Sequence, residues 1–173
     1  WQRKYFLNAK YVPEGYNNLA EAVRQLQVRR GNALEARTRL PVLQAEAPRL
    51  KNDVDALCRA IVSANQRMQA MKPTDDVQAY NALIASNNTL QAMMALQENA
   101  KNKNIDEVRR AEALVSGYIM AFTDFERTLA QQQAVVQHAP AEDAGRTFVM
   151  RLTELVNGMR GELSSSEIQA ERV

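Results

Sequence analysis

His138 is the one histidine of this chain and Cys58 its one cysteine, so the side chains that usually carry chemistry are scarce. A zinc site draws on three or four clustered His, Cys or carboxylate ligands, and a di-iron helical site needs two Glu-x-x-His motifs; neither can be assembled here. The sequence holds no glycine-rich phosphate loop, no nucleophile motif and no cysteine cluster. Asp75 with Asp76, and Asp124 with Glu126, are the carboxylate pairs to consider for acid–base work. The first pair fits better in the opening turn of a helix, where negative charge suits the dipole, and the second as an exposed helix face. His138 precedes Pro140 by two residues and fits a solvated last turn, while Cys58 beside Leu57 fits a small buried filler. No enzyme activity, metal or cofactor is expected.

Two stretches carry binding chemistry instead. Residues 1–16, WQRKYFLNAKYVPEGY, interleave Trp1, Tyr5, Phe6, Tyr11 and Tyr16 with Arg3, Lys4 and Lys10. Aromatic rings with basic side chains between them satisfy both halves of a lipid headgroup layer, so Trp1, Arg3, Lys4, Tyr5, Phe6, Lys10 and Tyr11 are candidate membrane contacts, beside the alternative that the rings pack on the chain's own helices. Met68, Met71, Met93 and Met94 gather towards residue 73 and form a candidate adaptable tip for a protein partner, beside the alternative of ordinary packing. The formal net charge of +2 is too small for a nucleic-acid binder, and no run of about 18 apolar residues spans a membrane.

The elements that must position these residues are helical. With 46% hydrophobic and 24% charged residues but only 6% aromatics and few glycines, the composition favours an all-α domain over sheets. From Leu19 to Met71 one heptad phase runs through Leu19, Ala22, Leu26, Arg29, Ala33, Ala36, Leu40, Leu43, Ala47, Leu50, Val54, Leu57, Ile61, Ala64, Met68 and Met71. Arg29 alone of these sixteen is not apolar, which is a coiled-coil signal. The seam is narrow, so this helix should touch mainly one partner helix. Pro41 and Pro48 each cost about 3 kcal/mol in a helix interior. They share an outward position seven apart, however, and the apolar phase continues past them, so the spacing predicts a kinked helix over 17–72 of roughly 80 Å.

Lys72, Pro73 and Thr74 form a turn, with Thr74 or Asp75 as the cap of a return helix over 75–138. Its seam runs through Tyr80, Leu83, Asn87, Leu90 and Met94, falters at Gln97, Lys101 and Asn104, and resumes in phase from Val108 to Val136. Asn87 in the seam is expected to fix register. The run from Asn99 to Asn104 predicts a break, with Asn104 and Glu107 as a capping box. Folding the two helices back on each other pairs residues whose numbers sum to about 147, so the weak stretches 41–48 and 97–104 coincide. Pro41, Pro48, Asn99 and Asn104 are therefore candidate hinge residues. Arg29 falls opposite Tyr118, and Arg30 and Arg37 within reach of Glu112.

Pro140 ends the return helix, and Glu142 and Asp143 open a third over 141–163 with a face of Phe148, Leu152, Leu155, Val156, Met159 and Leu163. This helix is expected on the return helix's second apolar edge, at Leu114, Ile119, Ala121 and Val135, with residues 164–173 a frayed tail. The expected architecture is a long antiparallel coiled-coil hairpin with a three-helix base; the alternative is a folded four-helix bundle plus a C-terminal helix.

Tyr16-Asn17-Asn18-Leu19 followed by Arg29-Arg30 resembles the opening of the LemA family of membrane-anchored helical-bundle proteins. The likeness covers some fifteen residues, lacks that family's Leu-Ile-Pro-Asn-Leu stretch and carries no function across. Taken together, the residues predict a non-catalytic helical module for protein–protein interaction or scaffolding, close to a membrane of the bacterial envelope and open to homo-oligomer formation. The alternatives are a ligand-sensing four-helix domain of a membrane receptor and a polymerising or lipid-remodelling coiled-coil protein.

Overall fold

The computed structural model describes residues 16–72, 74 and 76–171, with side chains described over 19–72, 74 and 76–162. The aromatic and basic residues from Trp1 to Tyr11 lie outside that range. The described chain is all-α, with three helices: α1 Tyr16–Ala70, α2 Val77–Val136 and α3 Ala144–Glu171. No strand occurs among the described residues. Both long helices are continuous, through Pro41 and Pro48 in α1 and through 97–104 in α2. A four-helix chain would need loops at those two places. The break and capping box expected at 99–104 are likewise absent, because Asn104 is itself a buried seam residue.

The turn between α1 and α2 is closed by Met71 N–H donating to the Arg67 carbonyl at 3.1 Å. Asp76 caps α2, its Oδ1 accepting from Ala79 N at 3.0 Å and its carbonyl from Tyr80 N at 3.0 Å. The cap thus lies beyond the expected Thr74 or Asp75, and α2 starts correspondingly later. After Val136, Ala139 N donates to the Val136 carbonyl at 3.0 Å, and Asp143 then caps α3. Asp143 is buried, and its Oδ2 accepts from Gly145 N at 3.0 Å and Arg146 N at 3.2 Å. Such a cap stabilises a helix start by about 1 kcal/mol. The third helix continues to Glu171, over most of the stretch expected as a tail.

The heptad seams are the buried faces. Every apolar seam position of α1 is buried or half-buried, while Arg29 is exposed. The whole predicted seam of α2, from Tyr80 to Val136, is also buried or half-buried, including Gln97, Lys101 and Asn104.

Contacts divide the described residues into two compact units. The first holds those up to Gly31 with those from Ser116 onward; the second holds 32–115. The first is a three-helix unit whose core contains Leu19, Leu26, Tyr118, Phe122, Phe125, Leu129, Val149, Leu152 and Val156. Burying large apolar side chains of this kind contributes about 1.5–3 kcal/mol each. The second is a two-helix antiparallel hairpin, in which many seam residues stay half-buried because two helices cannot enclose a seam as three can.

In the three-helix unit α3 takes one flank of the α1–α2 seam. Arg160 of α3 pairs with Glu126, and Gln133 Nε2 donates to Thr153 Oγ1 at 2.6 Å. From α1, Arg30 makes a two-pronged ion pair with Glu162, at 2.8 and 2.7 Å, rather than turning to Glu112. Ile119, Glu126 and Gln133 recur every seven residues along that flank of α2. Leu114 and Val135, expected under α3, lie on the other flank and are 46% and 47% exposed. An antiparallel pair has two such flanks, and α3 occupies the one bearing its polar partners.

Candidate functional site

A cleft of about 760 Å³ lies beside the turn of the hairpin, lined by Arg67, Ala70, Met71, Asp76, Ala79, Ala82 and Leu83. It exists because α2 opens with alanines at 79 and 82, whose methyl groups leave space where a longer side chain would fill it. Five of its seven lining residues are apolar. Of the two charged ones, Asp76 is committed to capping α2, and Arg67 extends its Nη2 towards Ser63 Oγ at 3.4 Å.

The four candidate methionines do not form one patch. Met71 lines the cleft. Met68 is half-buried in the seam of α1 and Met94 in that of α2. Met93 is 47% exposed, sixteen residues into α2, which places it about 24 Å along the helix from Val77. The alanines that shape the cleft were legible as small residues, but only the turn geometry assembles them.

A second cleft of about 330 Å³ opens on one flank of the two-helix unit, between Ala36 and Leu43 of α1 and Ala111 and Leu114 of α2. The Arg39–Glu107 ion pair crosses it at 3.7 Å, with Lys103 also 4.0 Å from Glu107. Of the candidate hinge residues, Pro41, Pro48 and Asn99 are exposed, whereas Asn104 is buried and its Nδ2 donates to the Leu43 carbonyl at 3.0 Å. Residues 43 and 104 sum to the 147 that the hairpin pairing requires. Asn87, also buried, donates to Asn65 Oδ1 at 3.0 Å.

Among the described residues no group of three or more His, Cys, Asp or Glu is placed to hold a metal ion. Cys58 is exposed, not the buried filler expected, because it sits just outside the seam of a two-helix unit. Glu21 has its carboxyl held down to about 2 by hydrogen bonds from Arg24 and then from Gln25, an exposed network along α1.

Tyr118, in the core of the three-helix unit, has a displaced titration. Burial pushes its phenol above the ordinary tyrosine value, with nearby Arg30 lowering it and Glu162 raising it by smaller amounts. Its Oη is buried without a hydrogen-bond partner. Arg29, expected at this level, runs past it, with Nη1 3.7 Å from the position of a Cβ on Gly117. An acid whose folded-state value is raised leaves stability intact below the ordinary value; stability falls as pH rises from there through the raised value, because the unfolded chain ionises first. Tyr118→Phe should therefore remove an absorbance step above the ordinary tyrosinate range and flatten that alkaline loss without lowering stability at neutral pH. A variant titrating like the parent would contradict the assignment.

Comparison with family models, with curated proteins and with solved structures finds no match to this chain. No described helix is long and apolar enough to cross a membrane.

Proposed function

We propose that this chain is a non-catalytic helical interaction module that engages a protein partner through the cleft at its hairpin turn. The observation that carries the reading is the cleft itself, an apolar concavity of about 760 Å³ at the meeting of two helix ends. Concave apolar surfaces with a few flanking charges are where anchoring side chains of a partner are desolvated. Met71 supplies a side chain that adapts to different shapes, and Ala79 and Ala82 allow close approach. The seams of α1 and α2 serve as the scaffold that presents it, in the manner of a coiled-coil hairpin.

Ala82→Glu is the informative change, because Ala82 lines the cleft yet is exposed and outside the seam. Affinity capture from an extract of the source cells, with the parent chain and with this variant, is expected to retain a partner that the variant loses at least tenfold, while the helical melting curve is unchanged. Equal recovery by both chains would remove the cleft from the interaction.

A further inference from the structure

The seam of the two-helix unit changes character over one stretch. On α2 three successive seam positions, Gln97, Lys101 and Asn104, are polar, whereas the positions before and after them on that helix include Leu90, Met94, Val108 and Ala111. Facing them on α1 are Leu43, Ala47 and Leu50, between and just beyond the two prolines. Pro41 and Pro48 have no N–H, so the carbonyls of Arg37 and Gln44 lose their intrahelical donors. Over about 10 Å of seam, then, α2 meets the apolar side chains of α1 with polar ones, and α1 is short of two backbone hydrogen bonds.

What ties the helices together across this stretch is the Asn104 side chain, 5% exposed, with its Nδ2 3.0 Å from the Leu43 carbonyl oxygen. That oxygen already accepts the helical bond from Ala47 N–H, since Ala47 is four residues on and is not a proline. The bond from Asn104 is a second one on the same atom. It can break and re-form without unwinding a turn of α1.

We propose that Asn104 is the latch of a hinge built into the hairpin. With the bond to Leu43 made, α1 and α2 stay zipped across residues 41–50 and 97–104. With it broken, this stretch opens locally while the apolar seams on either side stay closed. Elements that open below the global unfolding free energy are marked by few apolar contacts and weakened backbone bonding, and this stretch has one polar side to its seam and two missing backbone bonds. The device concerns motion within the hairpin and does not depend on the cleft at the turn.

Hydrogen exchange on the full chain tests it. Amides of 42–47 and 97–104 should exchange at least tenfold faster than those of 54–61 and 108–115. Asn104→Ala should speed exchange in the stretch by about tenfold more, and Asn104→Leu, which restores an apolar seam, should slow it by at least tenfold, both leaving the flanks within about twofold. Two results would overturn the proposal: a parent stretch exchanging no faster than its flanks, or changes in either variant spread evenly along both helices. The parent measurement decides the matter even if a variant fails to fold.

Discussion

Phe122→Ala is expected to cost about 3–5 kcal/mol of stability, the range for deleting a fully buried aromatic side chain. Phe122 is 3% exposed within the three-helix unit, with Phe125 and Leu129 buried around the same seam and the Tyr118 ring 6.2 Å away centroid to centroid at a tilt of 57°. Tilted ring pairs add about 0.5–1.5 kcal/mol beyond area burial, and α3 closes the third side, so the site has little room to collapse around the cavity. The matching deletion in the two-helix unit, Leu57→Ala, should cost only about 1–2 kcal/mol, because Leu57 is half-buried and its cavity opens to water. Urea unfolding followed by helical circular dichroism measures both. Equal losses at the two positions would mean that the third helix adds no enclosure.

That contrast follows from what the sequence could and could not express. A period of seven kept over fifty residues has one physical solution, a helix with a narrow buried stripe, and every apolar seam position from Leu19 to Met71 is buried or half-buried accordingly. The turn near residue 73 then sets the antiparallel register, which the Asn104–Leu43 bond obeys. The flank taken by α3 was not legible, since Ile119 lies on one side of α2 and Leu114 and Val135 on the other, all apolar. Cross-helix pairs such as Arg30–Glu162 and Gln133–Thr153 mark the flank taken, and only the folded chain brings them together. Val149, 1% exposed, escaped the spacing argument because a helix packed against two others buries a wider face than a single stripe. The run from Asn99 to Asn104 looked like a loop because Asn is a poor helix former. Its helix penalty is at most about 0.7 kcal/mol per residue, small enough for packing on α1 to override. The cleft at the turn takes in Met71 alone of the four candidate methionines, and three of its seven lining residues are alanines, whose contribution is the space they leave.

Asn104→Asp should lower stability by about 3 kcal/mol at neutral pH, the cost of leaving a buried charge without a counterpart. The substitution keeps the shape of the side chain and replaces the amide donor with a carboxylate oxygen, which would face the Leu43 carbonyl oxygen across the present 3.0 Å. Protonation reverses the sign of the contact, because a carboxylic acid can donate its O–H to that carbonyl. The introduced carboxyl is therefore expected to hold its proton in the folded chain to a pH above the ordinary aspartate value of about 3.9. Since the folded-state value is the higher one, the deficit relative to the parent is smallest below pH about 4, grows as pH rises through the window up to the raised value, and is constant beyond it. Denaturant unfolding of both chains from pH 3 to pH 8 tests this directly. A deficit independent of pH would show that the side chain at 104 turns to water, and that the Leu43 carbonyl is not what holds it in the seam.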